Sequence, residues 1–172
     1  ADLLTIGIKK GNRITLFSEG KNNWVIAELG ILFAGAVNVP ISVKLNETND
    51  LKFRIAHSES KIIIVSSTQL VKIRKIKKDL PDVEKIVILD KNEIYDDDEI
   101  DIDKFLLIGE DYLSYKKDRF HNRINSIEES DFANICYTSG TTSDPKGIIL
   151  THRNYTANVE QATKLLPIPE AY

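Results

Sequence analysis

The run Tyr137-Thr138-Ser139-Gly140-Thr141-Thr142-Ser143-Asp144-Pro145-Lys146-Gly147 holds five Ser or Thr hydroxyls, two glycines and one lysine in eleven residues. Hydroxyls, loop amides and a mobile cation are the groups that wrap a polyphosphate. Glycine lets backbone approach an anion with no Cβ in the way. Pro145 fixes one dihedral, removes a donor and pushes Asp144 toward extended geometry. The flanks decide the local fold. Phe132-Ala133-Asn134-Ile135-Cys136-Tyr137 and Ile148-Ile149-Leu150-Thr151 are both short, apolar and strand-like. The P-loop of nucleotide triphosphatases needs G-x-x-x-x-G-K-[ST] opening a helix. Here Lys146 is followed by Gly147 and a β-rich run, so the segment reads as strand–loop–strand, with a helix only from about Arg153. Asn134 to Thr138 and Gly147 to Thr151 are expected to pair antiparallel, with the loop Ser139 to Lys146 projecting from their shared end. Without a ligand that loop is expected to be mobile.

Working outward, strands and helices alternate. Arg13 to Ser18, Val37 to Val43, Lys61 to Ser66 and Lys85 to Leu89 read as strands, the third with consecutive β-branched residues. Pro40 marks a strand edge or end. Helices are expected over Asp2 to Ile6, Trp24 to Ala36, Glu47 to Ser58, Gln69 to Asp79, Phe105 to Tyr115, and onward from Arg153 to about Leu166, stopped by Pro167. Asn22 or Asn23 is the expected cap of the second helix. That helix is apolar nearly all round, which predicts burial, and Gly30 with Ala34 would permit close packing. The order implies an α/β fold: a largely parallel sheet with helices on both faces, plus a terminal antiparallel hairpin carrying the phosphate loop.

Composition sets the bounds. The 172 residues are 42% hydrophobic and 28% charged, enough for one substantial core. A net charge of −3 argues against a nucleic-acid binder. One cysteine excludes an internal disulfide and fits a reducing, cytoplasmic setting. Cys136 reads as a buried small hydrophobe. No apolar run reaches 18 residues. Lys91 to Asp103, with seven acids, reads as a solvated acidic loop and the least ordered segment. Lys72, Arg74, Lys75, Lys77 and Lys78 make an amphipathic helix with a basic outer side, read first as a solvated face and second as peripheral contact with anionic lipid. His57, His121 and His152 form no metal or triad spacing. His57 is placed on a helix surface and His152 is expected to help orient the loop. Trp24 reads as core rather than as a ligand platform.

The loop resembles the phosphate-binding signature of the adenylate-forming, AMP-binding superfamily, close to Y-T-S-G-T-T-G-x-P-K-G, with Ser143 where glycine is usual. Gly7 to Glu19, Trp24 to Pro40 and Leu150 to Tyr155 are similar to long-chain fatty-acid–CoA ligases of that superfamily. The resemblance covers most of the chain and implies that residues 1–172 are the N-terminal part of the AMP-binding large domain. It implies activation of a fatty acid by Mg·ATP as an acyl-adenylate, then transfer to coenzyme A. It places the β and γ phosphates on Thr138, Ser139, Gly140, Thr141, Thr142, Ser143, Lys146 and Gly147. Lys146 would meet charge developing on pyrophosphate, and Thr138 would also face Mg2+. The adenine, ribose and mobile-domain groups would lie beyond Tyr172, so the piece alone is expected to be inactive. A peptide-synthetase adenylation domain, or a phosphate-binding subdomain without catalysis, is the alternative. Oligomeric state is not legible.

Overall fold

The computed structural model describes residues 1–92, 94–138 and 145–165. Among them are seven strands: β1 (Arg13–Phe17), β2 (Val37–Pro40), β3 (Ile62–Val65), β4 (Lys85–Ile88), β5 (Glu99–Asp101), β6 (Phe132–Thr138) and β7 (Lys146–Thr151). Six helices accompany them: α1 (Asp2–Thr5), α2 (Asn22–Phe33), α3 (Thr48–His57), α4 (Ser67–Ile76), α5 (Ile102–Asn125) and α6 (His152–Leu165). The strands form one sheet in the order β5-β4-β3-β1-β2-β6-β7. Every pairing is parallel except β6 with β7. The expected architecture is therefore present, including the antiparallel pair.

Period-two alternation gives the sheet two apolar faces. Ile14, Leu16, Ile62, Ile64 and Val87 face α1, α2 and α5. Ile63, Val65, Ile86 and Ile88 face α3 and α4, where Leu51, Ile55, Leu70 and Ile73 close the layer. All four residues of β3 are buried. A strand covered on both faces has to be apolar at every position, which is why this run was legible.

Several elements depart from the expected ones. β2 stops at Pro40 rather than Val43, because proline offers no amide to continue the ladder. α5 runs 24 residues, past Tyr115, with a non-helical Lys116 (φ −131°, ψ 29°) inside it. α2 is capped at Lys21 with no side-chain bond. Asn23 instead donates from Nδ2 to the Leu89 carbonyl at 2.9 Å, tying the helix to the end of β4. Nor is α2 buried all round. Ala27 and Ile31 meet the sheet, while Val25, Ile26, Leu29 and Phe33 are about half exposed. Among the described residues only the Ala27–Ile31 side of the helix has a sheet to cover it. Gly30 has open space where a Cβ would stand, so it does not serve close packing. Gly35, at φ +66°, ends the helix in the left-handed region and turns the chain into β2.

The acidic segment also differs from its expectation. Glu99 to Asp101 form the edge strand β5. Glu99 is fully buried at its side chain and held by Arg74, and Asp98 pairs with Lys77. The basic side of α4 is thus partly covered by the acidic run. Lys72 turns the other way and donates to the Val43 and Leu45 carbonyls and to Asn46 Oδ1 at 3.0–3.3 Å. Charge runs of opposite sign satisfied each other here, which neither run shows by itself.

Candidate functional site

In a parallel sheet all carboxyl ends lie along one edge, and ligands of open α/β sheets bind outside that edge where the strand order reverses. Here β1 is the reversal point: β2 lies to one side and β3 to the other, with α2 on one face and α3 on the opposite one. The crevice there is lined by Ser18, Glu19, Gly20, Trp24, Pro40, Ile41, Ser42 and Val43. Trp24 is half-buried, packs on the core and also borders this opening. Gln69 donates to Glu19 Oε1 at 2.7 Å. That bond leads the causes that lower the Glu19 carboxyl below its usual range, against a smaller opposing effect of burial. Glu19 Oε2, Ser66 Oγ and Gln69 Oε1 are buried without partners among the described residues.

The hairpin β6–β7 opens toward the same edge. Its register is Asn134↔Leu150, Ile135↔Ile149, Cys136↔Ile148, Tyr137↔Gly147 and Thr138↔Lys146. The root of the proposed phosphate loop is therefore a cross-strand pair, Thr138 facing Lys146, both exposed. The helix begins only at His152, so the P-loop alternative is excluded by geometry. Ser139, Gly140, Thr141, Thr142, Ser143 and Asp144 lie outside the described residues, as does the expected loop mobility. Gly147 has a packing reason of its own. A Cβ there would stand 2.9 Å from Ile135 Cγ2 and 3.4 Å from the Tyr137 ring.

On the α3 side of β6, the Tyr137 hydroxyl and His57 Nδ1 share a hydrogen bond of 2.8 Å. Arg54 sits 5.5 Å from the Tyr137 ring centroid. Burial raises the Tyr137 phenol, and the Arg54 charge only partly offsets that. His57 is indeed on a helix surface, stacked on Phe53 at 5.2 Å, but it also braces the strand that leads into the loop. On the α2 side, Asn38 and Asn134 sit in register on neighbouring strands, both buried. Asn38 donates to Glu28 at 3.1 Å and Asn134 to the Tyr155 hydroxyl, while both Oδ1 atoms lack partners among the described residues. Neither this cluster nor the Arg54–Tyr137 contact is visible in the sequence, since their members lie on separate elements with no fixed spacing.

Two expectations need correction. His152 does not adjoin the root of the loop. It stands at the far end of β7, roughly 20 Å from the loop root at about 3.4 Å per residue, and its backbone amide donates to the Asp131 carbonyl at 3.1 Å. Cys136 is half-buried rather than buried, though burial, with Glu28 adding to it, still pushes its thiol up. As for metal, no group of three His, Cys, Asp or Glu side chains gathers among the described residues. Thr138 offers one hydroxyl oxygen beside a lysine. That fits a single ligand to a Mg2+ whose other ligands are phosphates and water, and does not make a protein-held metal centre.

A sequence model of the AMP-binding enzyme family matches residues 1–169. The chain belongs to the AMP-binding enzyme family. Among similar proteins, a chloroplastic long-chain-fatty-acid–[acyl-carrier-protein] ligase of Arabidopsis thaliana is 29% identical over 96% of the chain and 24% of its own length. Long-chain-fatty-acid–CoA ligase ACSBG2 of Xenopus laevis is 28% identical over 98% of the chain and 22% of its own length. The chain thus spans about a quarter of the length of such relatives. Its fold matches that of the anthranilate CoA ligase AuaEII in complex with anthranoyl-AMP, with a TM-score of 0.73, 22% identity, and coverage of 92% of this chain and 28% of that one. A fatty acyl CoA synthetase of Mycobacterium tuberculosis gives a TM-score of 0.64 at 24% identity, over 94% and 29%. Within the AMP-binding enzyme family, the described sheet and its hairpin correspond to part of what in these relatives is a much longer polypeptide. Among its described residues no helix is long and apolar enough to cross a membrane.

Proposed function

We propose that this chain is part of an ATP-dependent acid–thiol ligase acting on a long-chain fatty acid. A carboxylate oxygen of the acid bonds to the α-phosphorus of ATP, the bond from that phosphorus to the bridging oxygen breaks, and pyrophosphate leaves. The acyl group then passes from the adenylate to the thiol of coenzyme A, releasing AMP. The hairpin contributes charge neutralisation on the departing pyrophosphate, the main electrostatic need of phosphoryl and adenylyl chemistry. Ser139, Thr141, Thr142 and Ser143 offer hydroxyls, and Gly140 and Gly147 let backbone approach the phosphates without a Cβ in the way. Lys146 offers a positive charge, and Thr138 one oxygen toward a Mg2+ that arrives with the nucleotide and shields its phosphates.

The observation that carries this reading is the placement of Thr138 and Lys146 opposite each other, exposed, at the carboxyl edge of the sheet. Paired strands hold both ends of the loop, Thr138 and Lys146, in fixed register. The name of one relative, an acyl-carrier-protein ligase, favours a second acceptor for the same acyl-adenylate: the thiol of a carrier protein in place of coenzyme A.

The test is ATP–pyrophosphate exchange by the full-length protein across acids of different chain length, followed by transfer to coenzyme A or to acyl carrier protein. Exchange dependent on a long-chain acid is expected. Lys146→Ala should lower kcat for adenylation by about 10²–10³ while leaving KM for the acid little changed. No exchange with any acid, or an unchanged kcat in Lys146→Ala, would remove this function or this role. The 172-residue chain alone should not turn over fatty acid, ATP and coenzyme A.

A further inference from the structure

We propose that Arg54 and Lys44 form a second anion site at the root of the hairpin, on the face opposite Lys146, and that it takes a phosphate group. A pocket of about 280 Å³ opens between the segment after β2 and the end of β6. It is lined by Ser42, Lys44, Leu45, Arg54 and Tyr137. The lining holds two cations and no carboxylate. Arg54 reaches it from α3 across the Tyr137 ring. Its Nε is buried and has no hydrogen-bond partner among the described residues. Of the acids near Arg54 in sequence, Asp50 lies one turn earlier on α3 without forming an ion pair with it among the described residues, and Glu59 is committed to Arg13. A guanidinium N–H is costly to bury without an acceptor, and Arg54 borders a pocket in which an oxyanion can accept from its guanidinium. Arginine's planar fork suits phosphate, and Lys44 and the Ser42 hydroxyl, both exposed, add a point charge and a donor at the rim.

The face on which it lies makes this site distinct from the loop. Side chains alternate along β6 and β7. Thr138 and Lys146 share one face, whereas Tyr137 and Gly147, paired in the next register position, share the other with Arg54. An anion on Arg54 therefore abuts the root of the loop without touching Lys146. Inorganic phosphate or pyrophosphate and the phosphate tail of a nucleotide share the chemistry the pocket selects. The site stands on its own geometry. Only the choice between those two sources rests on the reading of the loop.

The experiment is a titration of the 172-residue chain with inorganic phosphate, pyrophosphate and ATP, read by amide chemical shifts and calorimetry, with adenosine as control. Saturable binding of pyrophosphate that moves the amides of Lys44, Arg54 and Tyr137 is expected. Arg54→Gln should weaken it at least about tenfold, as loss of a charged hydrogen-bond donor does, and Arg54→Lys should recover part of the loss. Lys44→Gln changes an exposed residue and decides the matter if Arg54→Gln fails to fold; a loss of about threefold or more supports the site. In Lys146→Ala the shifts of the Lys44, Arg54 and Tyr137 amides with pyrophosphate should still saturate. In that variant, tighter binding of ATP than of pyrophosphate assigns the site to a nucleotide tail, and equal or weaker binding assigns it to inorganic anions. Absence of saturable binding, or binding abolished by Lys146→Ala and indifferent to Arg54→Gln and Lys44→Gln, overturns the proposal. Loss of exchange activity in Lys146→Ala, or its persistence, bears on the loop alone.

Discussion

Arg74→Ala should cost the fold about 2 kcal/mol, because it strands Glu99. That carboxylate is fully buried at its side chain, while Arg74 is one-third exposed. Arg74 donates from Nε to Oε1 at 2.8 Å and from Nη2 to Oε2 at 2.6 Å. The Asp96 amide adds a third bond to Oε2 at 3.0 Å. Removing one partner of a fully buried pair costs about 3–5 kcal/mol, because the remaining charge stays dry. The exposure of Arg74 lets water replace it in part, and the Asp96 amide remains, so the figure falls toward about 2 kcal/mol. For a chain of this size that is a Tm shift of roughly 4–8 °C. The pH dependence gives an independent check. Burial pushes the Glu99 carboxyl up, but the bonds from Arg74 and the Asp96 amide, with the charges of Arg74 and Lys77, outweigh it and hold the carboxyl below its ordinary value of 4.5. A carboxyl depressed in the folded state contributes stability above its unfolded pKa and loses it as pH falls through the folded one. The gap between the parent chain and Arg74→Ala should therefore be constant near neutral pH and close below pH 4.5. Urea unfolding at a series of pH values reads both quantities. A gap under about 0.5 kcal/mol, or one that stays flat down to pH 3 or so, would refute the account of the pair.

Three further outcomes follow from single contacts. Gly147→Ala places a methyl 2.9 Å from Ile135 Cγ2; it should cost about 1–3 kcal/mol and disturb the His57–Tyr137 hydrogen bond, visible in the His57 ring resonances, and an unperturbed ring would contradict it. Asp101 accepts from the Asp103 amide and the Tyr95 hydroxyl, both at 2.8 Å, so Asp101→Ala should cost about 1 kcal/mol and speed amide exchange in the first turn of α5. The raised Cys136 thiol should react with a thiol reagent at neutral pH more slowly in the folded chain than in urea; equal rates would show that burial does not protect it.

What the sequence displayed was whatever repeats along one element. Ile62 to Val65 carry four buried β-branched residues, and nothing but a doubly covered strand uses that run. The hairpin was legible because Pro145 and Gly147 break any helix between two β-rich flanks, and the loop between them has an ordered signature. Pairings between elements were not legible. The acidic run around Glu99 and the basic run around Arg74 each look solvated when read alone; together they build an edge strand and its clamp. Lys72 likewise looks like part of a basic face but pins the segment after β2 to α4. The candidate anion pocket needs Lys44, Arg54 and Tyr137 from three parts of the chain, and no spacing announces them. The uncovered side of α2 is the converse case: periodicity reports that a side is apolar and not what lies against it.

The one antiparallel pairing in the sheet has a geometric consequence for the site. A parallel strand at β7 would have required a crossover from the carboxyl edge back to the opposite edge, and the loop after β6 would have been held at one end only. Reversing the chain directly brings both ends of that loop, Thr138 and Lys146, to the carboxyl edge in register. The same edge carries the Ser18–Gly20 and Ile41–Val43 segments of the crevice. A helix starting directly after the loop would have supplied a dipole to it, but β7 leads into α6 only at His152, at the far end. No helix therefore starts at the hairpin itself, and the anion binding proposed there draws on side chains: Lys146 on one face of the hairpin, Arg54 and Lys44 on the other. Glycine at 147 permits that division, since it leaves room for the Tyr137 ring that supports Arg54. A larger residue there would press on the floor of one site and the anchor of the other together, which ties the two faces through a single backbone position.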